Sequence, residues 1–356
     1  VMARTFIGMT LLGIFLLSGC SGIGAPAITR DRFDYNVAIA ESWKSQMLLN
    51  IVKIRYADTP VFMDVTSVIN LSGAQHTVNA SAGWSFPPNA NSQSLGGTTT
   101  WGEKPTITYA PISGDKFTKS LLTPVPPGSL VMMMQSGWPA RFLFTLCVKS
   151  VNDLDNRTLA PAFARTEDPD YARLIDLLEK IQKSGAMGSR IEKKEKQETV
   201  MLFFRRKAGR NIDTELAEAG RLLGLKPGTT EFKVVYGNAP IREGEIAILT
   251  RSIMDMILEL SAQIEVPSEQ AAEGRTYATS PEVGDGTGQK PPFIRIRCTK
   301  DKPSDSFAAI QYRSYWFWID DRDRPSKTIF SFMMILLSLV ETGQPPQAPL
   351  VTVPIS

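Results

Sequence analysis

The sequence predicts an α+β protein. Three observations carry this prediction: apolar residues recur at helical spacing in several stretches, one long stretch alternates with a period of two, and residues 142–236 follow a β-α-β-β-α-β order. The chain has 356 residues, of which 43% are hydrophobic, so it is long enough for two domains with substantial cores.

The first 19 residues have the pattern of a secretory signal peptide. One positive residue, Arg4, precedes an apolar stretch at residues 6–17, and the small residues Ser18 and Gly19 stand directly before Cys20. An apolar stretch of this length is too short to span a bilayer as a helix. We therefore expect this segment to be removed from the mature protein.

The run that ends at Cys20 resembles the lipobox of bacterial lipoproteins. The resemblance implies that the Cys20 thiol is diacylated, that the chain is cut before Cys20 and that the new amine is acylated. Ser21, where some members have Asp, implies sorting to the outer membrane, so the expected location is its periplasmic face. Several acyl chains would make a lasting anchor, since each buried methylene contributes about 0.8 kcal/mol. The alternative is a chance cysteine after an ordinary signal peptide.

The sequence divides into six predicted segments. They are a signal peptide (1–19), a flexible lipidated tether (20–32), an N-terminal helix and β-hairpin region (33–140), a ferredoxin-like α+β module with a following helix (141–264), a flexible linker (265–292), and C-terminal strands with a buried helix (293–356).

The N-terminal region begins with a predicted helix at residues 35–56, where Trp43, Met47 and Ile51 belong to an apolar stripe. A β-hairpin over residues 76–109 follows, with even positions of the first strand and odd positions of the second carrying most of its apolar residues. Two interpretations stay open. The hairpin lies half-buried on the protein's own core, or each protomer of an oligomeric outer-membrane pore contributes one hairpin.

The central module is predicted element by element. Asp168 caps a helix that ends at Gly185, and a second helix runs from residue 213 to Gly224. The predicted strands are residues 142–151, 189–196, 199–206 and 231–236. This order resembles the ferredoxin-like arrangement and the ring-building modules of bacterial secretion machines, which implies packing in oligomeric assemblies.

The C-terminal third is predicted to start with a helix at residues 245–264. Beyond the linker come strands at residues 293–298 and 308–319, and then a helix capped by Ser326. Its apolar core of residues 329–340 is too short for a membrane span.

The sequence contains no recognisable catalytic constellation. His76 is the only histidine, and nucleophile, phosphate-loop and zinc motifs are absent. The acidic cluster of Asp320, Asp321 and Asp323 is the basis of a weaker alternative, a carboxylate-dependent periplasmic hydrolase, and it lacks the spacing of a calcium loop. We therefore expect no enzymatic activity, no cofactor and no bound metal.

Two cysteines remain once Cys20 is set aside. Cys147 and Cys298 can form one disulfide in an oxidising periplasm, or each can be an ordinary buried thiol. The mature chain would hold 38 Lys and Arg against 36 Asp and Glu, and so small an excess argues against a nucleic-acid partner.

Residues 41–60 and 312–323 resemble parts of a group of uncharacterised proteobacterial outer-membrane lipoproteins. The resemblance implies a location and no activity. The predicted function is that of a non-enzymatic scaffold or assembly component of an envelope complex. Its expected partners are the membrane, through the N-terminal lipid, and envelope proteins or further copies of the chain.

Overall fold

The α+β class is confirmed. The structure, a computed structural model, describes residues 25–83, 92–160, 164–194, 197–205, 212–279 and 292–341. It contains two compact units, one formed by residues 61–114 and the other by the rest of the chain.

The smaller unit is a two-stranded antiparallel ribbon, formed by β1 (Met63–Gly83) and β2 (Ser92–Pro111). Its strands of 21 and 20 residues are each about 70 Å long at the usual rise of about 3.3 Å per residue. The register makes the even positions of the first predicted strand partners of the odd positions of the second: Val78 pairs with Gly97, and Ala80 pairs with Leu95. The hairpin therefore exists, and it starts 13 residues before the predicted residue 76.

The larger unit begins with helix α1 (Ala25–Arg55). The helix starts ten residues before the predicted residue 35, so the predicted flexible tether of residues 20–32 is helical from Ala25 onward. Pro26 does not prevent this, because proline is compatible with the first turn of a helix.

The remaining elements of the larger unit follow in chain order. They are α2 (Gly114–Phe117) with a π-helical turn (Thr118–Leu122), α3 (Pro127–Gln135), α4 (Ala140–Cys147), β3 (Val148–Val151), β4 (Leu154–Asp155), α5 (Pro169–Ser184), β5 (Met187–Lys194), β6 (Gln197–Phe204), α6 (Asp213–Leu222), β7 (Glu231–Tyr236), β8 (Glu245–Thr250), α7 (Ile253–Ser261), α8 (Ser268–Ala272), β9 (Arg297–Thr299), β10 (Ser306–Tyr312), β11 (Tyr315–Asp320) and α9 (Arg324–Glu341).

A six-stranded sheet has the order β4-β3-β8-β7-β6-β5. The predicted β-α-β-β-α-β order is present in β3, α5, β5, β6, α6 and β7. The added strand β8 lies parallel to β7 and antiparallel to β3, and so separates the first of these strands from the last. The ferredoxin-like prediction is therefore wrong in its topology: that arrangement places the first strand between the third and the fourth, whereas here β6 and β7 are direct antiparallel neighbours and β3 lies beyond β8. The prediction of one helix over residues 245–264 is wrong in its first part: Glu245–Thr250 is this buried strand, and α7 begins only at Ile253.

Strand β3 is shorter than predicted. Residues 142–147 belong to α4, and only Val148–Val151 of the predicted strand at 142–151 is extended. Leu143, Leu146 and Cys147 are buried at helical spacing, which explains the difference.

A three-stranded sheet, in the order β10-β11-β9, packs against α1. The ring of Tyr56, just after α1, lies 5.4 Å from that of Tyr312 and 6.1 Å from that of Phe317. The predicted single strand at residues 308–319 is instead two strands, because Arg313 and Ser314 adopt positive φ angles of 47° and 69° and reverse the chain.

Three further predictions in this region need correction. Of the predicted strand at residues 293–298, only residues 297 and 298 lie in a strand, β9. Helix α9 begins at Arg324 and is capped by Asp323, whose carboxylate accepts from the backbone N–H of Ser326 at 3.2 Å, so Ser326 is not the cap. The predicted flexible linker at residues 265–292 contains helix α8, whose Gln270 is buried and accepts a hydrogen bond from Tyr56 at 2.6 Å. Residues 280–291 lie outside the described residues.

Candidate functional site

A polar cavity of about 520 Å³ lies in the larger unit, between strands β3, β4 and β8 of the six-stranded sheet and helix α7. Its charged lining consists of Lys149, Asp155, Arg165, Arg251, Asp255 and Glu259. Three cations therefore face three carboxylates, and the charges of the wall balance.

Two buried side chains build the floor of this cavity. Asn156 Nδ2 donates to the carbonyl oxygens of Thr145 and Val148, at 3.0 and 2.7 Å. Arg251, 1% exposed, donates to the carbonyls of Thr145 and Arg157 at 2.9 and 2.6 Å. Thr145 is one of the last residues of α4, whose final carbonyls have no partner inside the helix, so these side chains supply the missing donors.

One hydrogen-bond acceptor in the floor of the cavity has no partner among the described residues. Asn156 Oδ1 is buried and has no hydrogen-bond partner within the described part of the chain. The orientation of the amide is settled by its three carbonyl acceptors, because a reversed amide would place oxygen against oxygen.

The charged groups of the wall are held in place. Lys149 Nζ lies 3.0 Å from Asp255 Oδ2, and an Arg165 nitrogen lies 2.6 Å from Asp155 Oδ2. Glu259, 2% exposed, accepts from the backbone N–H of Leu159 at 2.8 Å. This wall can bind a polar molecule, and its lining residues include no cysteine or histidine that could act as nucleophile or general base.

Asp255 also belongs to a capping box at the start of α7. Its carboxylate accepts from the Ser252 N–H at 2.9 Å, while the Ser252 hydroxyl accepts from the Asp255 N–H at 3.1 Å. Burial works against the charged form, but these bonds and Lys149 outweigh it and hold the Asp255 pKa below its usual value. The Asp255 carboxylate therefore caps the start of α7 and pairs with Lys149.

Cys147 and Cys298 are free thiols in this structure and are not joined to each other. Cys147 ends α4 beside the six-stranded sheet, while Cys298 lies in β9 of the other sheet. Burial raises the pKa of each thiol to about 12, so both stay protonated and poorly nucleophilic at neutral pH.

The acidic cluster between β11 and α9 is occupied by local interactions. Asp323 caps α9, Asp321 Oδ1 lies 2.6 Å from Lys327 Nζ, and Asp320 Oδ1 accepts from the Arg322 N–H at 3.0 Å. The three carboxylates therefore stabilise the turn into the helix.

Of the remaining predicted positions, Cys20 lies outside the described residues. His76 lies in β1, where its backbone partner is Thr99. Among the residues that the structure describes, no group of three or more His, Cys, Asp or Glu side chains could hold a metal ion. Within the same residues, no helix combines the length and the apolar character that crossing a bilayer requires.

The most unusual surface of the molecule is the pair of outer edges of the ribbon. In the described part of the chain β1 pairs with β2 alone, so no further strand is paired with the outer edge of either strand. Strands in globular proteins are usually 3–10 residues long, and long open edges are templates for pairing with another strand.

Comparison of the chain with protein-family models, with curated proteins and with solved structures finds no match.

Proposed function

We propose that this protein is a non-enzymatic assembly component of an envelope complex, held on the periplasmic face of the outer membrane by acyl chains on Cys20. The lipobox-like run before Cys20 supports the location. The ribbon supports the role in assembly, and it is the observation that carries the proposal.

The ribbon supports an assembly role because a two-stranded sheet is marginally stable in water on its own. Within the residues that the structure describes, no third strand pairs with the outer edge of either strand. Proteins normally shorten, cover or charge such edges, since they otherwise pair without control. Here residues 65–102, which include most of β1 and half of β2, contain no Asp, Glu, Lys or Arg, although these types make up 21% of the chain. An edge so long and so poor in charge fits a binding element.

The carboxylate hydrolase gains no support from the geometry. Asp320, Asp321 and Asp323 each make a local hydrogen bond or ion pair, and none of the three lines the polar cavity. An oligomeric pore, by contrast, is one form that an assembly through the ribbon can take.

The test compares two variants of the full chain in native membranes. In the first, residues 66–108 are replaced by a short Gly-Ser turn, which removes the ribbon. In the second, Asp320→Asn and Asp323→Asn are combined, since Asn is also a good helix cap. After chemical cross-linking, we expect the first variant to lose the high-mass complexes of the wild-type protein and the second to keep them. Full retention of the complexes without the ribbon would overturn the proposal.

A further inference from the structure

The number of open edges on the ribbon limits what can cover it. Each copy presents one edge on β1 and another on β2, and both extend over some 20 residues. A strand donated by an unrelated partner covers one edge and exposes a new edge of its own. A closed ring of identical ribbons leaves no edge open, because the β1 edge of each copy pairs with the β2 edge of the next.

The distribution of charge along the ribbon divides it in two. The eleven residue pairs from Gly73↔Gly102 to Gly83↔Ser92 contain no Asp, Glu, Lys or Arg. The first charged residues beyond them are Glu103 and Lys104, which pair with Ser72 and Leu71. A strand that crosses a bilayer at the usual tilt needs about 9–11 residues. The charge-free end therefore has the length of a membrane crossing.

The pairing register also shows the alternation of apolar and polar residues that a membrane-crossing strand needs. Val78 pairs with Gly97, Ala80 with Leu95 and, on the neighbouring positions, Thr77 with Thr98. Over this end, the set that contains Val78 and Ala80 is mostly apolar or small, with His76, Gln93 and Thr99 as its polar members, and the set that contains Thr77 consists of polar residues and glycines. In membrane-crossing strands the two sets face lipid and a water-filled interior.

We propose that the ribbons of several copies of this chain pair edge to edge into a closed sheet, and that residues 73–83 and 92–102 carry this sheet across the outer membrane. The inference rests on the proposed function, because the lipid anchor is what brings the ribbons together at that membrane. Copies of this chain are thus the partner that the ribbon edges bind.

The experiment uses the full-length, lipid-modified protein extracted from membranes in detergent. Mass photometry and negative-stain images give the oligomeric state, and planar lipid bilayers report ion conductance. The expected result is a discrete ring-shaped oligomer that produces stepwise currents. Monomers at every concentration, or rings that carry no current, would overturn the inference.

Two adjacent substitutions form a matched pair. Val78→Lys adds a charge to the lipid-facing set and is expected to reduce the number of conductance events at least tenfold. Thr77→Lys adds the same charge to the interior set and is expected to keep the conductance while shifting ion selectivity toward anions at least twofold. Equal effects of the two substitutions would contradict the proposed alternation. Protease resistance of the larger unit shows in each case that the variant is folded.

The outcome also separates this inference from the function on which it rests. Monomers that still co-purify with a different envelope protein, and lose it when residues 66–108 are replaced, would overturn the ring and leave the assembly role standing. Rings that disperse into monomers only when the ribbon is replaced would support both.

Discussion

Two arginines that line the polar cavity show how burial decides how much a single residue contributes to stability. Arg251 is 1% exposed and donates to three backbone carbonyls, whereas the Arg165 side chain is 59% exposed and pairs with Asp155. Removing the Arg251 side chain leaves buried carbonyl groups without a hydrogen-bond donor. Removing the Arg165 side chain leaves the Asp155 carboxylate free to be hydrated by water.

We therefore expect Arg251→Met to lower the free energy of unfolding by about 3 kcal/mol. Arg165→Met, the matched control from the same cavity, should lower it by less than about 1 kcal/mol. Urea denaturation followed by circular dichroism measures both values. Similar losses for the two variants would contradict the structural role assigned to Arg251.

The Cys147 thiol predicts a change of stability at alkaline pH. Burial raises its folded-state pKa to about 12, with Arg251 acting weakly in the opposite direction, while a thiol in the unfolded chain titrates near 8.5. Above pH ~8.5 the unfolded state loses its proton and the folded state keeps it, so stability is full below that pH and falls as the pH rises.

In Cys147→Ala this contribution is absent. Between pH 8 and pH 10 the variant should lose about 2 kcal/mol less unfolding free energy than the wild-type chain. Urea denaturation at the two pH values gives the difference. Parallel losses in the two proteins would show that the thiol ionises equally well when folded.

At the scale of elements, α7 depends on the capping box that Ser252 and Asp255 form. The Asp255 pKa is depressed, so its contribution to stability is present above the unfolded-state pKa near 4 and is lost as the pH falls through the lower folded-state value.

Asp255→Ala should accordingly lower the free energy of unfolding by about 1–2 kcal/mol at pH 7. The difference from wild type should be smaller at pH 3, because below the unfolded-state pKa near 4 the unfolded chain takes up a proton that the folded state binds less readily. Asp305→Ala removes an exposed carboxylate paired with Arg322 and serves as the control, with an expected change below about 1 kcal/mol. A loss for Asp255→Ala that stays constant from pH 7 to pH 3 would argue against a charged cap.

Elements with local signals could be predicted from the sequence. Helix α5 has Asp168 as its cap, whose side chain accepts from the Asp170 N–H, and Gly185 at φ 75° as its end, as predicted. Strand β7 covers the predicted residues 231–236. In both cases the signal lies within or directly beside the element, so distant parts of the chain do not override it.

The failures have a common physical origin in tertiary contacts. Strand β8 is buried between β3 and β7, and a short apolar run that is buried on both faces cannot be told from a buried helix by its periodicity. Only the Ser252 and Asp255 spacing marked the true start of the following helix.

The error at β8 also hid the polar cavity. Reading residues 245–264 as one helix placed Arg251 in its middle, whereas the structure puts Arg251 at the junction between β8 and α7, next to the end of α4. Asn156 and Glu259 reach the same cavity from other segments. No spacing in the sequence connects these residues, so the site could be found only from the fold.

At the scale of the whole molecule, the chain contains a unit with helices and two sheets and a separate unit that is a long ribbon. The larger unit offers charged groups that pair locally, and the ribbon offers two edges with which no other described strand pairs. The proposed role in an envelope assembly requires that the chain is anchored at the outer membrane, where its partners would lie. That anchoring depends on acylation of Cys20.

The most direct test is metabolic labelling with a radioactive or clickable fatty acid, followed by membrane fractionation. For the wild-type chain we predict a labelled protein in the outer-membrane fraction, shortened by the 19 residues before Cys20. For Cys20→Ser we predict no label, no cleavage at this site and release from the outer membrane. Unchanged labelling, processing and fractionation of Cys20→Ser would contradict the account.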